Sequence, residues 1–186
     1  MSHEPMKKKD VNMALAVIDV QKKFIMQGME ITAAIENINK AVTLFRENDR
    51  PVIFICFDGP SHNSKFSEKE GDECVRGIVL NNKDIIVHKE HINSFLNTRL
   101  NDVMTEFACD ALLIAGVYTQ ACVVGTYYGA IDNEISPFLL VGGIISTEER
   151  FNEAAYTLCR TLTVEEAEET IRTKKIPGSA DHVAMH

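Results

Sequence analysis

Five short, continuous apolar runs constrain the fold of this chain more than any other feature of its sequence. They are Ala14–Val20, Val52–Phe57, Asp84–His88, Ala111–Val117 and Pro137–Gly142. Apolar residues that do not alternate with polar ones are typical of parallel strands buried on both faces, so we interpret each run as one strand. A short sixth strand is predicted around Leu162.

Helical patterns separate these runs. Apolar residues recur at helical spacing over Ile31–Phe45 and Leu100–Phe107, and Ser146–Glu149 and Thr163–Glu166 have the pattern of capping boxes at helix starts. Strands that alternate with helices predict an α/β protein. We expect a three-layer α/β/α, Rossmann-like fold with a six-stranded, mostly parallel sheet.

The length of the chain fits one domain. Its 186 residues, 45% hydrophobic and 25% charged, can bury one sizeable core. We expect a single domain over residues 1–186, with its core at about 13–175 and mobile tails at 1–10 and 177–186. One long polar segment, Asp58–Lys83, lacks apolar periodicity and is predicted to be a loop that covers a site or an interface.

The charge and the cysteines argue against several classes of protein. A formal net charge of −8 gives no general attraction to nucleic acid or to an anionic membrane. No apolar run approaches the roughly 20 residues of a membrane helix, and no secretory signal is visible at the N-terminus. The five cysteines form no CxxC pair, which favours reduced thiols in the cytoplasm. They are Cys56, Cys74, Cys109, Cys122 and Cys159.

Three residues that could carry chemistry follow predicted strands. Asp19 lies at the end of the first strand, Lys89 closes the third, and Cys122 follows the fourth. Ligands of an open parallel sheet bind beyond the carboxyl ends of its strands, so the three could converge. Each alone has a plainer explanation: a turn cap, a solvated lysine, a small buried hydrophobe. At the start of a predicted helix, however, Cys122 is expected to favour the thiolate.

Three segments resemble the isochorismatase-like cysteine hydrolase superfamily, which includes nicotinamidases, N-carbamoylsarcosine amidases and ureide hydrolases. Ala14–Phe24 is similar to the family's first strand, with its Asp, Gln and aromatic residue. Val87–Leu100 is similar to its lysine loop, and Ile114–Val123 to its nucleophile segment. The resemblance covers roughly Ala14 to Ile171, nearly the whole chain.

The resemblance implies a catalytic triad of Asp19, Lys89 and Cys122. Asp19 would accept the thiol proton, Lys89 would stabilise the pair, and Cys122 would form a thioester acyl-enzyme. Backbone N–H groups of Tyr118 and Cys122 would form the oxyanion hole after a cis peptide bond at Val117.

The same resemblance implies a pocket and partners. Phe24 and Tyr118 would contact the substrate, a small molecule, and the protein would form a homo-oligomer, a dimer or a tetramer. No cofactor, nucleic acid or membrane is expected.

The chain departs from the family at several positions. It has Gln120 two residues before the cysteine, where family members commonly have Asp, and Gly142-Gly143 after the predicted fifth strand, where many have Asp. The Asp-x-His pattern of metal-binding nicotinamidases is replaced by Asp58 and His62, four residues apart. We therefore expect no metal, although Asp58 and His62 could bind one with His88 or His91.

Three functions remain open from the sequence. The leading one is hydrolysis of a C–N bond in a small amide or ureide. A second is isochorismatase-type hydrolysis of a vinyl ether, which the presence of Cys122 disfavours because isochorismatases proper lack that cysteine. The third is a catalytically idle family member that acts in binding or assembly.

Overall fold

A computed structural model of the chain describes residues 10–60 and 67–177. Apart from Asp10 and Pro177, the tails predicted to be mobile lie outside the described residues, and so does His62. The extent of the single domain, 1–186, therefore stays a prediction.

The sheet has six strands, as predicted. They are β1 (Met13–Ile18), β2 (Val52–Phe57), β3 (Ile85–Lys89), β4 (Ala111–Val117), β5 (Ser136–Ile145) and β6 (Thr161–Leu162). Their spatial order is β3-β2-β1-β4-β5-β6, and every neighbouring pair is parallel. The order reverses direction beside β1 and β4, which is the usual position of a ligand site in such a sheet.

Two strands differ in length from their apolar runs. β1 ends before Asp19 because that residue has a φ of 50° and leaves the extended conformation. β5 continues through Gly142-Gly143 to Ile145, so the two glycines lie within the strand rather than after it. A register irregularity between β4 and β5 accommodates them, and Gly142 has a φ of 69°, which glycine adopts without strain.

Six helices accompany the strands among the described residues. They are α1 (Thr32–Glu47), α2 (Glu68–Asp72), α3 (Leu100–Glu106), α4 (Val124–Asp132), α5 (Glu149–Leu158) and α6 (Val164–Thr173). Thr163 caps α6 through a capping box, as predicted. The box predicted from Ser146 is absent, because α5 begins only at Glu149 and the Ser146 hydroxyl donates to the Glu148 carbonyl instead.

Two apolar cores cover the two faces of the sheet and explain why the strand runs are continuous. Met13, Leu15 and Val17 belong to one core, and the alternating residues Ala14 and Ile18 belong to the other. Helices α1 and α6 contribute to the first core, and α3, α4 and α5 to the second. The three-layer α/β/α arrangement is therefore confirmed. None of the helices in the described part of the chain is long and apolar enough to cross a membrane.

The segment predicted only as a long loop contains ordered structure. Ser67 caps α2 through a capping box, and Cys74 forms an antiparallel bridge with Gln21, just beyond β1. The Val75 N–H also donates to the Val20 carbonyl. Residues 67–75, called the α2 segment below, thus lie against the carboxyl end of the sheet.

Candidate active site

Asp19, Lys89 and Cys122 meet at the carboxyl edge of the sheet. Lys89 is the last residue of β3, and Asp19 follows β1, where its N–H donates to the Ile55 carbonyl at 2.8 Å. Cys122 lies in a π-helical turn, Thr119–Val123, between β4 and α4. The Cys122 thiol lies close enough to Asp19 and Lys89 for each of them to shift its pKa.

The ion pair at this edge is fully buried. Lys89 Nζ lies 2.7 Å from Asp19 Oδ2, and the two side chains are 0% and 1% exposed. The ammonium donates to the carbonyls of His91 and Ile92, at 3.1 and 3.5 Å. Its contact with Asp19 is short but poorly directed, so neither carboxylate oxygen receives a hydrogen bond of good geometry. A buried carboxylate without a well-directed donor is unusual and can accept a proton.

Burial dominates the ionisation of the two acids. It raises the pKa of Asp19, and the opposing influences are the charge and hydrogen bond of Lys89, a hydrogen bond from Cys122 and the charge of Lys23. Burial, followed by the charge of Asp19, raises the pKa of Cys122 to about 12, although Lys89 opposes both.

The expectation that Cys122 favours the thiolate is therefore wrong for the resting protein. The helix N-terminus and the lysine favour the thiolate, but burial and the neighbouring carboxylate outweigh them. The resting site holds a neutral thiol beside Asp19, and the two groups titrate as a coupled pair.

Aromatic rings line the same edge. The rings of Phe24 and Tyr118 are 6.0 Å apart, those of Phe24 and Phe57 are 5.8 Å apart, and both contacts are edge-on. The Tyr118 hydroxyl donates to the Phe24 carbonyl, and burial raises the pKa of Tyr118, which keeps that donor protonated. The peptide bond between Val117 and Tyr118 is cis, as expected. Phe24, Phe57 and Tyr118 form what is called the aromatic cluster below.

Sequence reasoning missed Phe57, although a signal for it existed. Phe57 is the last residue of β2, and the carboxyl ends of parallel strands are where ligands bind. Its ring centroid lies 5.5 Å from Lys89 Nζ, within range of a cation–π contact.

Two buried polar pairs support the site from behind. The Thr119 hydroxyl donates to Asn152 Oδ1 at 2.6 Å and so connects the turn of Cys122 to α5. The hydroxyls of Ser94 and Thr126 lie 2.7 Å apart and connect the loop after Lys89 to α4. The partners are 33 and 32 residues apart in sequence, so no local sequence pattern predicts these two hydrogen bonds.

The residues considered for a metal are only partly described. Asp58 Oδ1 lies 2.7 Å from His88 Nδ1, and both side chains are exposed. His62 lies outside the described residues. Within residues 10–60 and 67–177, no group of three or more His, Cys, Asp or Glu side chains could hold a metal ion. Metal independence stays a prediction.

Known proteins resemble this chain over most of its length. The isochorismatase domain model matches residues 13–169. YddQ, an isochorismatase family protein of Bacillus subtilis, is 28% identical in an alignment of 126 residues that covers 64% of this chain and 70% of that protein. An Arabidopsis thaliana protein named "Probable inactive nicotinamidase" is 28% identical in an alignment of 144 residues, gaps included, that covers 64% of this chain and 73% of that protein.

Solved structures share the fold at lower identity. A cysteine hydrolase from Pseudomonas syringae superposes with a TM-score of 0.75 at 17% identity, and the match covers 94% of this chain and all of that one. N-carbamoylsarcosine amidase from Thermoplasma acidophilum superposes with a TM-score of 0.71, also at 17% identity, over 84% of this chain and 98% of its own.

Proposed function

The chain belongs to the isochorismatase family of hydrolases, and on that premise we propose that it is a cysteine-dependent hydrolase that cleaves a C–N bond of a small amide or ureide. The observation that carries the proposal is the buried Asp19 carboxylate. It lies near enough to the Cys122 thiol to raise the pKa of that thiol, is paired with Lys89 at 2.7 Å, and lacks a well-directed donor of its own.

Asp19 acts in this proposal as a general base rather than as the partner of a preformed thiolate. A thiol with a pKa of about 12 is almost entirely protonated at neutral pH, so its proton must leave as the sulfur attacks the substrate carbonyl. Burial raises the pKa of Asp19, which makes its carboxylate a stronger base than an exposed aspartate. Lys89 keeps the pair compact and balances the charge that develops.

The remaining steps follow from the same three groups. The N–H groups of Tyr118 and Cys122 receive the oxyanion of the tetrahedral intermediate, a role carried over from the family. Asp19 then protonates the departing nitrogen, which leaves a thioester on Cys122. Water deprotonated by Asp19 hydrolyses this thioester and restores the thiol.

A second candidate is a family member without catalytic activity. It is favoured by the relative named "Probable inactive nicotinamidase", which is 28% identical over 144 residues. The contact of Asp19, Lys89 and Cys122 supports the active alternative.

A screen for ammonia release separates the two candidates. We expect the parent protein and the control Cys159→Ala to release ammonia from at least one member of an amide and ureide library, and Cys122→Ala to release none. Mass spectrometry of rapidly quenched parent protein should show an acyl adduct on Cys122. A parent protein that is folded but releases no ammonia and forms no adduct would support the inactive candidate.

The wider expectations belong to the same proposal. A cytoplasmic location is supported by the use of cysteine, and a dimer or tetramer by the family resemblance. Light scattering of the purified protein would test the oligomer directly.

A further inference from the structure

We propose that the buried ammonium of Lys23 is a positioning group that holds the aromatic cluster and the α2 segment beside the Asp19–Lys89 pair. Through this it controls both how substrate binds and the pH at which Asp19 can act as a base. The catalytic consequence rests on the proposed function, whereas the positioning itself does not.

The ammonium of Lys23 connects three pieces of chain. Its side chain is 5% exposed, and Nζ donates to the Phe57 carbonyl at 2.6 Å and the Gly59 carbonyl at 3.0 Å. It also pairs at 2.5 Å with Oδ1 of Asp72, a residue at the end of α2 whose side chain is 53% exposed, so the buried member of this pair is the lysine. These oxygens offer an acceptor for each N–H of the ammonium, which is what a charge removed from water requires.

The same ammonium contacts two of the three rings in the aromatic cluster. Nζ lies 5.6 Å from the ring centroids of both Phe24 and Phe57, within cation–π range. The Phe57 ring also has Lys89 Nζ at 5.5 Å from its centroid. Phe57 therefore links the ammonium of Lys23 to the ammonium of the candidate active site, and a movement of Lys23 would move the aromatic cluster.

The charge of Lys23 also reaches Asp19. It lowers the pKa of that carboxyl, although burial, which raises it, is the larger influence and Lys89 opposes burial more strongly than Lys23 does. Among the described residues, Asp19 faces Lys89 from β3, Lys23 from the turn after β1 and the Cys122 thiol, and its charge also raises the pKa of Cys56 in β2. Asp72 is one of the groups that face Lys23. Loss of the Lys23 charge should raise the pKa of Asp19, so a higher pH is needed to ionise the base.

The neutral side chain of Gln21 connects the end of β2 to the α2 segment, as Lys23 does, and should keep a Lys23 variant folded. Gln21 Oε1 accepts from the Phe57 N–H at 2.8 Å, and its Nε2 donates to the carbonyls of Phe57 and Asp72 at 3.2 and 3.5 Å. Gln21 is 2% exposed and pairs with Cys74 through its backbone. The α2 segment thus retains an attachment when the ion pair is removed.

The adjacent lysine provides a matched control. Lys22 directly precedes Lys23, and its partner Glu73 directly follows Asp72. Lys22 Nζ pairs with Glu73 Oε2 at 2.5 Å, but the two side chains are 34% and 56% exposed. An exposed pair is screened by water and contributes little to holding a segment. Lys22→Met removes the same charge from the same turn without touching the buried contacts.

Hydrogen–deuterium exchange tests the positioning without any substrate. We expect faster exchange across residues 67–75 in Lys23→Met and Asp72→Asn than in the parent, and exchange equal to the parent in Lys22→Met. Lys23→Arg, which keeps the charge, should recover part of the protection. Equal exchange in Lys23→Met and Lys22→Met would overturn the proposal, even for a fully active enzyme.

Steady-state kinetics test the catalytic consequence on a substrate found by the ammonia screen. Lys23→Met should raise KM by about tenfold, since displacement of the aromatic cluster by a fraction of an ångström would weaken the positioning of a substrate held against it. It should also move the acid limb of the kcat profile to higher pH. Asp72→Asn should raise KM without that upward shift, because the Lys23 charge remains. Unchanged KM and pH profile in Lys23→Met would overturn the catalytic consequence. Absence of activity in the parent would instead count against the proposed function, and the hydrogen–deuterium exchange would still test the positioning role of Lys23.

Discussion

The two ends of β3 carry two buried ion pairs that are built in opposite ways. Asp84 precedes the strand and is 1% exposed, and it accepts from Arg46 Nε at 3.0 Å, from Arg46 Nη2 at 2.5 Å and from the Asn81 N–H at 2.6 Å. At the other end, Lys89 pairs with Asp19, whose carboxylate is equally buried but receives no well-directed hydrogen bond.

The difference separates a structural acid from an acid that is available for chemistry. A carboxylate with a forked arginine and a backbone donor has its oxygens satisfied, and this arrangement stabilises the fold. A buried carboxylate without such donors costs stability, and such groups persist where a proton has to be accepted or released. The same strand thus connects a site built for stability to one suited to proton transfer.

The largest effect should come from removing the nucleophile. Cys122→Ala should lower kcat by on the order of 10⁴-fold or more, because the residues of a nucleophilic site act as a unit. Its free energy of unfolding should change little, since the thiol is only half-buried. Ammonia release and chemical denaturation of the same preparations measure both quantities. Residual activity near that of the parent would show that the chemistry lies elsewhere.

Removal of the Asp84 carboxylate should lower stability and leave catalysis unchanged. Asp84→Ala should lower the free energy of unfolding by about 3 kcal/mol, at the lower end for a broken buried pair because Arg46 is 25% exposed. Its kcat at 25 °C should equal that of the parent. Glu73→Ala, which breaks an exposed pair, should cost less than about 1 kcal/mol. Equal losses of unfolding free energy in Asp84→Ala and Glu73→Ala would contradict a structural role for the buried Arg46–Asp84 pair.

A third test concerns the charge state of Cys122. In Asp19→Asn the charge that helps raise the pKa of Cys122 is gone, so the midpoint pH of Cys122 alkylation by iodoacetamide should be about one pH unit lower than in the parent. Lys89→Met should raise that midpoint, because the opposing positive charge is lost. Cys109, whose pKa burial raises to about 11 without any influence of Asp19, serves as the internal control. An unchanged or higher midpoint pH in Asp19→Asn would contradict the influence of Asp19 on the thiol.

The smallest effect is expected from the contact behind the nucleophile turn. Thr119→Val removes the hydrogen bond to Asn152 and leaves a buried amide without that partner, at a cost of about 1–2 kcal/mol in unfolding free energy. A loss of a few-fold in kcat with unchanged KM should accompany it, since the turn that carries Cys122 becomes less fixed. Thr157→Val, at an exposed hydroxyl of α5, is the matched control. Identical kinetics in both variants would assign Thr119 to stability alone.

Much of the fold could be predicted from local sequence, because each strand run carries its own evidence of burial. Successive residues of β1 alternate between two apolar cores, so the residues on both faces of the strand are apolar. The apolar run in the sequence is continuous for this reason. Asp19, Lys89 and Cys122 could also be predicted as site residues, from their positions at strand ends and from the family resemblance. The structure brings these side chains together.

What the sequence by itself determined is which residues lie in strands and which polar groups lie at their carboxyl ends. Only the tertiary structure decided that Cys122 rests as a thiol, that Asp19 lacks a directed donor, and that Lys23 pairs with Asp72, 49 residues away. The reason is physical: the periodicity of a strand is local, whereas the ionisation of a group depends on how much water is excluded and which charges are packed against it. Those neighbours come from distant segments, and no spacing within a motif specifies them.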